Sequence, residues 1–62
     1  MKYQIDSTSS YDFQAETEAE AQAIVAAEQA KGNGTTVWVN GSYAGDNRKN
    51  CFTGTWHNNI EW

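Results

Sequence analysis

The sequence predicts an α+β fold: an antiparallel sheet of four to five strands with one helix packed on one face, in the order ββαβββ. Three observations carry this expectation. Asn40-Gly41 divides two β-type runs, Thr35–Val39 and residues 42–44. Both central positions of a two-residue hairpin need φ > 0, which Asn and Gly adopt most readily. Thr17, with Glu20 three residues on, has the spacing of a helix capping box, and Gly32 offers a left-handed stop after an alanine-rich stretch. Residues 2–6 and 11–15 alternate apolar and polar with period two.

The elements follow in chain order. In the first strand Met1, Tyr3 and Ile5 oppose Lys2, Gln4 and Asp6. Ser7-Thr8-Ser9-Ser10 is a polar turn. In the second strand Tyr11, Phe13 and Ala15 oppose Asp12, Gln14 and Glu16, which makes a first hairpin. A helix over 18–31 starts with Glu18 and Glu20 at the positive end of its dipole and ends on Lys31. At 100° per residue, Ala19, Ala23, Ala26, Ala27 and Ala30 form one stripe. Ala21, Ile24 and Val25 form nearly the opposite one, with Thr17 and Glu28. Burying an Ile or Val side chain gains about 1.5–3 kcal/mol, and alanine buries much less. The second stripe is therefore expected on the sheet, and the alanines in solvent. The alternative is that the alanines permit a close approach to the sheet or to a second molecule.

In the central hairpin Val39 should face Ser42, Trp38 should face Tyr43 and Val37 should face Ala44. Residues 45–50 read as a loop. Residues 51–57 alternate again, Phe52, Gly54 and Trp56 against Cys51, Thr53, Thr55 and His57, with Gly54 marking a bulge or a close backbone approach. Asn58-Asn59 breaks the pattern, and Ile60 and Trp62 are expected to fold back on the sheet.

Sixty-two residues make a single domain, 1–62. A chain of this size buries only about 60% of its unfolded surface. One cysteine cannot close an internal disulfide, and Cys51 with His57 cannot complete a structural zinc site. No cofactor or metal is expected. The short core is expected to be relieved by a protein partner or by a homodimer. The start of the chain reads as a strand with no apolar leader, and no apolar run approaches membrane-spanning length. With the free cysteine, this points to a cytoplasmic protein. A net charge of −4 argues against direct sequence-specific nucleic-acid binding and is compatible with docking on a basic surface.

Side chains that could carry function are few. Trp38 and Tyr43 should pair on the face opposite Val37 and Val39; if those valines face the helix, the pair lies on the open face, where Trp56 or Phe52 could join it, and the competing reading places these rings in the core because so small a domain needs its large side chains inside. Arg48 and Lys49 are the one adjacent basic pair, and Lys31 closes the helix. Trp38, Tyr43, Arg48, Lys49, Lys31 and Trp56 are thus the candidate partner-binding residues. Glu16, Glu18 and Glu20, with Asp12, form an acidic stretch that helix electrostatics already explains in part. His57 with Glu61 is a candidate pair near the end of the chain. Cys51 and His57 stand about 20 Å apart on an extended strand, too far for a nucleophile and its base. Gly32-Asn33-Gly34 follows a helix instead of opening one, so it is no phosphate loop. Catalytic residues are not expected.

The stretch EAQAIVAAEQ followed by GTTVWV and SYA resembles small phage-encoded anti-CRISPR proteins that inhibit a type I surveillance complex. Ala21, Ile24, Glu28-Gln29, Gly34-Thr35, Val37 and Ala44 carry the similarity. The resemblance implies a non-enzymatic inhibitor that binds a CRISPR effector subunit and blocks guide-directed DNA binding or distorts its outcome. The sequence departs from that pattern in charge, because the family's contact surface is basic. The resemblance leaves two routes: an acidic competitor for a basic channel, or a small contact kept by Lys31, Arg48 and Lys49.

Overall fold

The structure is a computed structural model that describes residues 2–8 and 12–62. The expectations for Met1, Tyr11 and the Ser9-Ser10 part of the first turn lie outside the described residues. The elements are β1 (Tyr3–Ser7), β2 (Phe13–Ala15), α1 (Glu18–Ala30), β3 (Thr35–Val39), β4 (Ser42–Lys49) and β5 (Trp56–Asn58). Five strands form one antiparallel sheet in the order β2-β1-β3-β4-β5. The α+β class, the element order and the single helix match the sequence reading.

Both ends of α1 are fixed by local chemistry. The Thr17 hydroxyl accepts from the Glu20 amide at 3.2 Å. At the other end Gly32 takes φ 85°. Its amide donates to Gln29 O at 2.9 Å, and the Asn33 amide donates to Glu28 O at 2.8 Å. These two bonds are the pattern of a Schellman stop, in which a residue with positive φ turns the chain back over the last open carbonyls. Lys31 is the C-cap and not a helical residue.

The helix buries the face carrying Ala21 and Val25, with Ile24 partly covered. The alanine stripe (Ala19, Ala23, Ala26, Ala27 and Ala30) is exposed. Tyr3, Ile5, Ala15 and Val37 complete the core on the facing side of the sheet. Glu28 lies on the same helical face and is only 2% exposed. Its carboxylate receives the Lys31 ammonium at 3.1 Å and the Asn33 amide at 3.5 Å.

The central hairpin turns at Asn40-Gly41, with φ 51° and 83°. Asn40 also ties the turn to the next strand. Its amide donates to Lys2 O at 2.7 Å, and its side-chain oxygen accepts from Lys2 N at 2.9 Å. Val39 pairs with Ser42 and Trp38 with Tyr43 as expected, but Val37 pairs with Gly45 and not with Ala44. Ala44 is the extra residue of a β-bulge, which alternation alone does not reveal.

Two further expectations are corrected. The segment 45–50 is not a loop: β4 runs on to Lys49, with Asn47 turned under the helix, where its Nδ2 donates to Gln29 Oε1 at 2.8 Å. The segment 51–57 is not a strand: residues 51–53 form a turn, and only Trp56–Asn58 pair with β4. The Asn50 side chain accounts for this, because its Oδ1 accepts from the amides of Phe52 at 2.9 Å and Thr53 at 3.4 Å. A local side-chain bond of this kind competes with the sheet ladder. Gly54 sits in that turn at φ 74°, not in a strand.

The tail folds back as expected. The Asn59 amide donates to Asp46 O and the Glu61 amide to Ala44 O, each at 2.8 Å. Ile60 and Trp62 pack against the core, with the Trp62 and Tyr3 ring centroids 6.1 Å apart. Gly45, at φ 134°, leaves the space the tail needs, because a Cβ there would run into the backbone of Asn59 and Ile60.

Gly45→Ala is expected to lower stability by about 2–3 kcal/mol in urea titration, through strained φ and displacement of the tail. Gly54→Ala, with open space around its Cβ, should cost about 1 kcal/mol. Equal losses would show that the tail contact adds nothing. Thr35 is fully buried and its hydroxyl has no hydrogen-bond partner among the described residues. Thr35→Val should therefore leave the unfolding free energy from urea titration unchanged or raise it by up to about 1 kcal/mol; a clear fall would reveal a bond to that hydroxyl.

Candidate functional site

The helix and the tail both lie on one side of the sheet, so the described residues leave the opposite side open. Strand register defines what stands there. Gln14, Gln4, Trp38 and Tyr43 lie across from one another on β2, β1, β3 and β4. Asp6, Thr36 and Asp46 form the next row, and Arg48 pairs with His57 beyond it. The pattern arises because Ile5, Val37 and Tyr3 turn to the helix, which sends the alternate residues outward.

Trp38 and Tyr43 meet edge to face, with ring centroids 6.4 Å apart and planes at 72°. This is a favourable aromatic geometry. Tyr43 is 63% exposed and Trp38 is half-buried. The placement of this pair on the open face agrees with the sequence reading. Arg48 shares the face: its Nη2 donates to Thr36 Oγ1, its chain covers Gly34, and its Nε stands 3.9 Å from Asp46 Oδ2.

The other candidates are elsewhere. Lys49 pairs with Trp56 across β4 and β5, and alternation from Arg48 puts both on the opposite side. Phe52 is 95% exposed in the turn at the far end of that hairpin. Neither Trp56 nor Phe52 therefore joins Trp38 and Tyr43, because the expected strand over 51–57 does not exist. Lys31 is engaged with Glu28 at the end of α1. The sheet thus gathers Trp38, Tyr43 and Arg48 and leaves Lys31, Lys49 and Trp56 apart.

Sequence reasoning missed Gln4 and Asp6, and read Asp12 only as part of an acidic stretch. The Gln4 amide donates to Asp6 Oδ1 at 3.4 Å and to Asp12 Oδ1 at 3.3 Å, and the Asp12 backbone amide donates to Asp6 Oδ1 at 3.3 Å. These side chains read as the wet half of two strands. The signal was available only through the pairing of β1 with β3, which sets Gln4 against Trp38. Two shallow depressions flank Trp38. One, of about 320 Å³, is lined by Lys2, Gln4, Asp6, Trp38 and Gly41. The other, of about 260 Å³, is lined by Asp6, Ser7, Thr8, Thr36, Trp38 and Arg48.

Among the described residues no three His, Cys, Asp or Glu side chains are grouped to hold a metal ion. Cys51 is exposed in the turn, while His57 lies opposite Arg48. No helix among the described residues is long and apolar enough to cross a membrane. Against protein-family models, curated proteins and solved structures, the chain matches none.

Proposed function

We propose that this chain is a non-enzymatic binding protein, a small inhibitor that docks on a larger protein or nucleoprotein complex, as the resemblance to anti-CRISPR proteins implies. One observation carries the reading: a five-stranded sheet with one face free of the helix and tail, presenting the Trp38–Tyr43 pair beside Arg48. Trp, Tyr and Arg are the residue types that dominate binding energy at protein interfaces. They form a cluster here, whereas Lys31, Lys49 and Trp56 lie outside it. The partner in this reading is a CRISPR effector subunit in the cytoplasm of the host cell, bound without direct contact to a specific DNA sequence. The net charge of −4 supports docking near a basic channel, where this chain competes with the DNA backbone.

The test uses a purified type I surveillance complex loaded with guide RNA. Added protein should prevent the shift of matched target DNA, and inhibition should weaken as salt rises. Trp38→Ala and Tyr43→Ala should each weaken inhibition about 30-fold, equivalent to about 2 kcal/mol. Their melting temperatures should fall by only a few degrees, because neither ring belongs to the buried core. Undiminished target binding at saturating protein would reject the inhibitor reading. A collapse of melting temperature in both variants would assign the rings to the fold.

A further inference from the structure

The sequence holds two identical dipeptides, Asn33-Gly34 and Asn40-Gly41. In an unstructured chain an asparagine before glycine is chemically labile. The glycine backbone nitrogen, once it has lost its proton to hydroxide, bonds to the asparagine Cγ. The Cγ–Nδ2 bond breaks, Nδ2 takes a proton from water and leaves as ammonia, and a cyclic succinimide remains. Water then opens the ring. Breaking one of its C–N bonds gives aspartate, and breaking the other gives isoaspartate, whose main chain runs through the former side-chain carbon. Glycine favours the attack because it has no Cβ to obstruct the ring. The dipeptides are the same, so a difference in rate between them comes from the fold.

The fold locks the first site. To react, Asn33 must turn its peptide so that the Gly34 nitrogen swings onto its own side chain. The Asn33 amide closes α1 on Glu28 O at 2.8 Å, and the Gly34 carbonyl accepts from the Thr8 amide at 3.2 Å. The Asn33 side chain accepts from the Thr8 hydroxyl at 3.1 Å and donates to Glu28 Oε1 at 3.5 Å. Gly34 is buried, and a Cβ there would stand 3.0 Å from Arg48 Cδ and 3.3 Å from Asn47 O. Turning this peptide would open the helix stop and the join to β3 together.

The second site is held less firmly. Asn40 and Gly41 are both exposed, and no atom lies within 4 Å of where a Gly41 Cβ would stand. The turn closes the end of a hairpin, so opening the Val39–Ser42 pair alone frees its peptide to rotate. Asn40 is tied to Lys2 through its amide at 2.7 Å and its Oδ1 at 2.9 Å, and neither bond involves Gly41. The donor on Oδ1 also stabilises the negative oxygen that forms as the nitrogen adds. Thr8 offers the same help to Asn33, so the freedom of the glycine nitrogen decides between the two sites.

We infer that Asn40 is a self-acting modification site: in the folded protein it deamidates spontaneously to aspartate and isoaspartate, while the fold protects Asn33. Either product adds a negative charge to a chain that already carries −4. Isoaspartate also adds a backbone atom to a two-residue turn whose geometry, φ 51° and 83°, suits two α-linked residues. It thereby loosens the hairpin that sets Trp38 against Tyr43. The inference is independent of the inhibitor reading. It is tested on the isolated chain, so its failure leaves that reading untouched.

The experiment incubates the folded protein in mildly alkaline buffer well below its melting temperature, beside the same chain unfolded in urea. Trypsin cleaves after Lys31 and Arg48, which leaves both asparagines in the peptide 32–48. Tandem mass spectrometry of that peptide assigns the converted site. In urea the two sites should convert at comparable rates. In the folded protein Asn40 should stay within about tenfold of its unfolded rate, and Asn33 should convert at least about tenfold more slowly than Asn40. The isoaspartyl form, separated by ion exchange, should melt at least about 4 °C below the unmodified chain. Asn40→Asp, which carries the charge without the added atom, should melt closer to it. The inference is overturned if folding slows Asn40 by more than about tenfold, or if the two folded-state rates differ by less than that; equal rates would mean that both sites react only through the unfolded chain. An isoaspartyl form that melts with the unmodified chain overturns the effect on the turn.

Discussion

A helix of 13 residues cannot cover five strands, and the rest of the fold answers that constraint. The α1 helix packs on β1, β2 and β3. The β4 side of the same face would otherwise stand open beside Val37 and Val39. The last four residues close it, running beside β4 with their amides on Asp46 O and Ala44 O and delivering Ile60 and Trp62 to the core. This arrangement needs a backbone at position 45 without a side chain, and it needs the ladder to shift by one residue at Ala44. The bulge, the glycine and the two terminal apolar residues therefore work as one device. Loss of any member exposes the others, since Trp62 is held partly by Tyr3 and Ile60 by the passage over Gly45.

The opposite end of the covered face is polar. Ser7, Thr35 and Asn47 pair across three strands beneath the last turns of the helix. Gln29 accepts from Asn47, and Glu28 takes Lys31 and Asn33. A buried carboxylate costs several kcal/mol unless it is paired and hydrogen-bonded, so the Glu28 contacts offset a penalty more than they add stability. The gain is geometric. Asn47 can meet Gln29 only in the register that also puts Gly45 under the tail. A polar end of this kind disfavours sliding of β4, which an apolar surface would tolerate.

Much of this was legible in the sequence, and the losses have physical causes. Asn40-Gly41, Thr17 with Glu20, and Gly32 were readable because each is a local solution to a local backbone problem. The stripe of Ala21, Ile24 and Val25 was readable because apolar area decides which helix face is buried. The length of β4 was not. Its second half, Asp46-Asn47-Arg48-Lys49, has the composition of a loop, since its inward residue meets a polar cluster and not the apolar core. The strand expected over residues 51–57 failed for the converse reason: its alternation is genuine, but the Asn50 side chain captures the amides that a ladder would use. Trp38 and Tyr43 were placed on the correct face because the hairpin fixed them locally. Gln4 and Asp6 were missed because their meeting with Trp38 depends on β1 pairing with β3, across thirty or so residues of chain that carry no local signal.

The two faces of the sheet differ in kind. On the covered face, Tyr3, Ile5 and Val37 give up water almost completely, and Glu28 and Asn47 are drawn into bonds with Lys31, Asn33 and Gln29. On the open face the large rings stay half-wet and lean on each other. Water could satisfy Gln4, Asp6 and Arg48 equally well anywhere on the surface, yet they border the same indole from different strands. Among the described residues the helix and the tail both lie on the other side of the sheet, so neither adds a layer over the indole. The packing of Tyr43 at 72° covers one flank of the indole and leaves the β1 flank bordered by Gln4 and Asp6.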